Sequence, residues 1–281
     1  MRGRFTGYWL MLPAALWLGL FFVIPFYSLL ATSLYDPEGS VLTGYEVTYH
    51  IQNFGHALQE YWQPLVRSLW YAGLATAICL VLGYVLAYAI AFKAGRFRHI
   101  MLILVIAPFF TSFLVRTLSW KLILADDGFV VNTLQFLHLL GEDGRLLATP
   151  VAVIAGLVYN FLPFMVLPLY ASLEKMDHRL IEAASDLYAS PARGFAKVTL
   201  PLSMPGVVAG TLLTFIPAAG DYINAELLGS PNQRMVGNVI QNLFTTTGDY
   251  ATAGALSVIL MAIIVAMVMV YIRKAGTEEL V

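Results

Sequence analysis

Six apolar runs, each about long enough to cross a bilayer, constrain this chain more than any other feature. A helix rises 1.5 Å per residue, so a hydrocarbon core of ~30 Å needs about 20 apolar residues. Such runs cover about residues 8–30, 64–92, 100–122, 150–173, 205–222 and 251–272. Backbone polar groups in hydrocarbon must be satisfied within their own segment, so the runs predict helices. The chain is 59% hydrophobic and 12% charged, where soluble domains average about 25% charged residues. Its mean hydropathy is +0.75. The expected fold class is all-α: a polytopic membrane protein with six transmembrane helices in one domain over residues 1–281.

Several function classes fall away. A net charge of −1 leaves no basic footprint for nucleic acid. The one cysteine, Cys79, lies in an apolar run, so there is no disulfide framework and no CxxC pair; it reads as a small core hydrophobe. The sequence has no G-x-x-x-x-G-K-[S/T] loop, no H-E-x-x-H pair and no G-x-S-x-G elbow, and its five histidines are scattered. No catalytic residues, metal ligands or cofactor are expected in this chain. An integral membrane enzyme is the rival class. Arg2 and Arg4 precede the first run, and Ala31-x-Ser33 offers a signal-peptide cleavage pattern. The run exceeds the usual 7–15 residues of a signal core, which favours a first membrane helix.

Between the runs, residues 33–60 read as an external loop, with an interfacial helix over Asn53 to Trp62 capped by Asn53. In the second run Gly83, Ala87 and Ala91 form a small-residue ridge for close helix packing. A straight third helix would put Arg116 about 24 Å from its start, near the outer membrane face. There it either snorkels to lipid head groups or orders acidic groups at a pathway mouth. Asp127 reads as a helix cap or a ligand. Pro163 and Pro168 interrupt the fourth helix, and Tyr159 and Asn160 are read as making buried hydrogen bonds. The fifth helix ends in a break, Pro217-Ala218-Ala219-Gly220-Asp221-Tyr222, with Glu226 beyond it. Intramembrane ionisable groups are functional candidates, so Asp221 is either a pathway residue or a cap or ion-pair partner.

A polar island separates the fourth and fifth runs, over residues 174–204. Asp177 can cap a short helix by accepting from free backbone N–H groups. Leu180, Ile181, Ala184, Leu187 and Tyr188 then fall at helical spacing. Ser190 followed by Pro191 starts a second helix, with proline where its missing N–H does no harm. The apolar stripe is too short to span a membrane and must dock into something.

Glu182-Ala183-Ala184, followed at the family spacing by Val198-Thr199-Leu200-Pro201, resembles the EAA loop of ABC-importer permeases. The family usually has glycine where Tyr188 stands. If the backbone is left-handed there, a tyrosine costs about 1–2 kcal/mol more. The segment Pro108-Phe109-Phe110-Thr111-Ser112 to Arg116 and Trp120, with the fifth-helix break and Leu227-Leu228-Gly229, is similar to spermidine/putrescine permeases. The resemblance implies a type I ABC importer permease (MetI-like) fold. It implies that Glu182, Ala183, Ala184, Asp186, Leu187, Tyr188, Leu200 and Pro201 couple to a separate ATPase dimer, which consumes ATP and Mg²⁺. It also implies a second related permease chain and an external substrate-binding protein, periplasmic or lipid-anchored. Permeases for ferric ion, sulfate, molybdate and phosphonate share this plan.

Charge sets the orientation. Eleven of the sixteen Lys and Arg residues, from Arg2 and Arg4 to Arg273 and Lys274, fall on one side of six spans. The positive-inside rule makes that side cytoplasmic, with both termini, and the expected location is the bacterial inner membrane. Eleven of seventeen acids, including Glu60, Asp126, Glu142, Asp221, Glu226 and Asp249, fall towards the outside and would concentrate a cation. A polyamine wants carboxylates separated by aromatic faces. Asp221, Tyr222 and Glu226, with Arg116 and Trp120, are the candidate pathway residues.

Overall fold

The computed structural model describes residues 3–39, 44–141 and 143–275; Arg2 and Glu142, counted above, lie outside them. Among the described residues the chain is helical, with a single isolated bridge between Tyr35 and Val47. Four helices are long and apolar enough to cross a membrane: α1 (Met11–Thr32), α2 (Gln52–Lys93), α6 (Pro150–Glu174) and α12 (Tyr250–Lys274). Two bent pairs bring the number of spans to six if each counts as one: α3 (Gly95–Phe110) with α4 (Phe113–Ile123), and α8 (Pro191–Leu202) with α9 (Met204–Ala219). Shorter helices are α5 (Phe129–Phe136), α7 (His178–Asp186), α10 (Ile223–Leu228) and α11 (Val236–Asn242).

Several elements differ from the sequence expectation. The third run is not one helix. It turns by 96° at the extended Thr111 and the non-helical Ser112, after a tight 3-10 turn at Ala107–Phe110 that contains Pro108. The fourth helix is not interrupted: Pro163 and Pro168 both lie inside the continuous α6. Residues 52–60 belong to α2, which has a non-helical residue at Tyr61, so the loop after α1 is shorter than 33–60. The fifth helix stops at Ala219 rather than 222. Gly128, not Asp127, is the N-cap of α5. A Cβ at Gly128 would meet the carbonyl of Ile123 at 2.5 Å, so no side chain fits there.

The described residues gather into two compact units. The first comprises Met1–Gln63 and Val239–Ile263. Here the end of α1 is closed by Asn53, whose buried amide donates to the carbonyls of Ser33 (3.1 Å) and Tyr35 (2.8 Å). Asn53 therefore ties off the preceding helix rather than capping its own. Gly254 of α12 lets that helix approach Ser33 closely; a Cβ would sit 2.8 Å from its backbone nitrogen. Tyr45 donates to the carbonyl of Gly248 (2.9 Å) and meets Tyr250 edge to face.

The second unit comprises Pro64–Asn238 and Ile264–Val281. Its axis is the pairing of α6 with α9, around Met165, Val166, Leu169 and Leu173, all fully buried. The small residues of α9 make this possible. A Cβ at Gly206 would stand 2.8 Å from the Pro168 carbonyl and 3.1 Å from the Leu169 Cα; one at Gly210 would stand 2.8 Å from the Met165 sulfur. Gly83 of the ridge read from the sequence likewise abuts Met165, and Ala87 is buried. Gly206→Val should therefore lower the melting temperature of the detergent-purified protein by several degrees, since overpacking a core costs about 1–3 kcal/mol. Gly73→Ala, whose Cβ would meet open space, should leave it unchanged.

Candidate functional site

Two regions carry the candidate residues, both within the second unit. The first is the polar island. Asp177 caps α7, its Oδ1 accepting from the Arg179 amide at 3.0 Å, and Ser190 caps α8, accepting from the Arg193 amide at 3.4 Å. Between them α7 ends in a Schellman arrangement: the Tyr188 amide donates to the Ser185 carbonyl (2.9 Å) and the Ala189 amide to the Ala184 carbonyl (3.0 Å). That places Tyr188 at the left-handed position, with φ +57°. The tyrosine thus carries the strain that glycine avoids. Its ring gains no compensating burial: Tyr188 is 97% exposed and Leu187 81%. The stripe splits accordingly. Ile181 packs against the core of the unit, while Glu182, Ala183, Asp186, Leu187 and Tyr188 face outward. Leu200 is half-buried and Pro201 exposed, ahead of the 65° turn into α9. The buried Ser203 stabilises that turn, donating to the Leu200 carbonyl and sharing a 2.7 Å bond with the Tyr84 hydroxyl.

The second region is the break after α9. Asp221 is buried, and its Oδ1 accepts from both the backbone amide (2.8 Å) and the side-chain amide (3.1 Å) of Asn224. It caps α10. The chain of bonds continues inward: Asn160 of α6 donates to the Asn224 side-chain oxygen (3.0 Å) and to the Thr117 hydroxyl of α4 (3.1 Å). Asn160, Asn224 and Thr117 are all buried. Tyr222 and Glu226 behave differently. They lie one helical turn apart and both are exposed. α4 packs against α10, yet neither Arg116 nor Trp120 hydrogen-bonds to Asp221, Tyr222 or Glu226.

The Arg116 side chain is folded inward rather than extended from the surface. It is only 8% exposed, with its guanidinium over the rings of Phe109 (5.8 Å) and Phe113 (5.6 Å), one on each side of the 96° bend. Its Nε and Nη1 have no hydrogen-bond partner among the described residues. The straight-helix distance fails because the segment turns. Trp120 stacks at an angle on Tyr159, at 5.5 Å, and lines an apolar cavity of 530 Å³ with Leu74, Ile78, Ile154 and Val158. No acid borders that cavity. Of the acids expected on the outside, Asp126 pairs with Arg145 at 3.2 Å on the surface of the chain. The described residues contain no cluster of three or more His, Cys, Asp or Glu able to hold a metal.

Residues 80–275 match the family model described as binding-protein-dependent transport system inner membrane component. The chain belongs to this family. As an inner membrane component it is a multi-pass, non-catalytic subunit of a transport system. Among its relatives, the spermidine/putrescine transport system permease protein PotB of Haemophilus influenzae is 39% identical over 258 residues, covering 92% of this chain and 90% of the relative. PotB of Escherichia coli is 37% identical over 260 residues, covering 92% and 94%. The inner membrane ABC transporter permease protein YdcU of Escherichia coli is 30% identical over 227 residues, covering 76% and 72%. The fold is that of ABC importer permeases. A chain in the crystal structure of a bacterial ABC transporter that imports alginate aligns with a TM-score of 0.75 at 18% identity, over 96% of this chain and 95% of that one.

Sequence reading of this inner membrane component missed Asn224, Asn238 and Thr117. The Asp221-to-Asn224 spacing of three is a capping signal, readable once the break is located. Nothing local marks Asn238. Tyr188→Gly should slow amide exchange at the end of α7 by about fivefold, the equivalent of ~1 kcal/mol of relieved strain. Hydrogen exchange with mass spectrometry reads this directly.

Proposed function

We propose that this chain is a translocation subunit of an ATP-binding cassette importer for polyamines such as spermidine and putrescine. The observation that carries the reading is the 39% identity, over nine-tenths of the chain, to a spermidine/putrescine permease. The exposed pair Tyr222 and Glu226 supports it, because an ammonium group binds both a carboxylate and an aromatic face. Asp221 contributes by capping α10, and Trp120 by an aromatic wall. Arg116 braces the bend in the third span.

In the assembly a second, related permease chain completes the pathway, and an external substrate-binding protein delivers cargo. An ATPase dimer, using ATP and Mg²⁺, sits on the cytoplasmic side. Both termini and the 174–204 loop face it, as the basic residues direct. The exposed Glu182, Ala183, Asp186, Leu187 and Tyr188 form the coupling surface, and Ala184, Leu200 and Pro201 shape it.

Uptake of labelled spermidine and putrescine should vanish when the gene is deleted and return when it is restored, in a host with polyamine synthesis blocked and other uptake systems removed. Unchanged uptake would move the substrate to an anion or metal. Glu182→Lys, a charge reversal on an exposed coupling face, should cut cargo-stimulated ATP hydrolysis at least about tenfold, the cost of setting a wrong charge in an interface. Normal complex recovery with normal stimulation would remove Glu182 from the coupling role.

A further inference from the structure

The exposed carboxylate of Glu226 is held, and one residue holds it. Asn238, at 4% exposure, directs its side-chain amide nitrogen at α10 twice: to the Tyr222 carbonyl at 2.7 Å and to Glu226 Oε2 at 3.2 Å. Its own oxygen accepts from the Met235 amide at 3.0 Å, which fixes the rotamer and assigns the nitrogen to α10. Two further features anchor Asn238 itself. The Val236 amide donates to the buried Ser68 hydroxyl at 2.7 Å, tying the start of α11 to α2. Gly237 brings the α11 backbone against the break, where a Cβ would lie 2.6 Å from the Gly220 carbonyl and 3.0 Å from that of Asp221. Glu226 Oε1 makes no hydrogen bond among the described residues. A free glutamate on a six-residue helix would sample several rotamers. Here one oxygen is anchored and the other is offered, one turn from the Tyr222 ring.

We infer that Asn238 is a positioning residue for cargo recognition: it presents Glu226 Oε1, beside Tyr222, to a primary ammonium group of the transported solute. The inference rests on the polyamine reading above. It also divides the two carboxylates of the break by burial, since Asp221 is enclosed and bound to Asn224 while Glu226 faces outward.

The test is a double-mutant cycle on the complete transporter in proteoliposomes, measuring spermidine uptake against concentration. Asn238→Asp keeps the acceptor for Met235 but replaces the donor with a negative charge beside Glu226. The apparent KM should rise about tenfold with a saturating rate within about twofold, as for losing a hydrogen bond to a charged group. Glu226→Gln should raise KM similarly, and adding Asn238→Asp to it should raise KM little further. A purely structural Asn238 would instead lower complex yield and saturating rate and add to Glu226→Gln. Asn238→Ser, smaller and uncharged, gives the same cycle if the aspartate variant does not assemble. Additive effects, or an unaltered KM in both Asn238 variants, would overturn this inference while wild-type spermidine uptake upheld the polyamine reading. No spermidine uptake by the unaltered transporter would overturn both.

Discussion

A membrane-spanning chain cannot leave backbone donors and acceptors open to hydrocarbon, and the architecture of this protein follows from how it meets that rule where its helices stop. An unmet buried polar group costs about 1–3 kcal/mol. Three interruptions pose the problem. At Ser203 a hydroxyl folded back onto the Leu200 carbonyl, with Tyr84 beside it, stabilises the turn. At the end of α9 a carboxylate stabilises the next start: Asp221 takes both amides of Asn224, which is in turn gripped by Asn160. At the bend between α3 and α4 the brace is aromatic. Arg116 lies over Phe109 and Phe113, each contact worth about 0.5–2 kcal/mol, which offsets part of burying two unpartnered nitrogens.

The polar island obeys the opposite logic. Both of its helices are capped at their N-termini, by Asp177 and Ser190. Yet it keeps Tyr188 in a left-handed conformation and fully exposed. Internal stability would favour glycine there. A strained, exposed aromatic just past the end of the helix that carries the exposed Glu182 gains nothing from packing within this chain.

The sequence carried most of the fold because bilayer length and apolar composition are strong constraints, and because Asp177, Ser190-Pro191 and the Tyr188 position are local signals. It carried less of the bends. The third span turns just after Pro108, while α6 runs on without a break through Pro163 and Pro168, so proline alone does not mark a bend. The same limit governed the site. Burial separates Asp221 from Glu226 although only five residues part them, and burial depends on α4 and α6, which lie distant in sequence. Arg116 moved furthest from expectation, because a straight-helix estimate has no meaning across a 96° turn. Asn160 was legible as a buried hydrogen-bonding group; its partner Asn224 needed the break to be seen.

The claim that the breaks are sealed from within, so that burial sorts a capping carboxylate from a cargo-facing one, is tested most directly at Asp221. The measurement is the apparent KM for spermidine of Asp221→Asn in the reconstituted transporter. Asparagine keeps the Oδ1 acceptor that Asn224 needs, so KM should stay within about twofold of the unaltered protein. A rise of about tenfold or more, with assembly intact, would mean that the charge itself meets the cargo and would contradict the account.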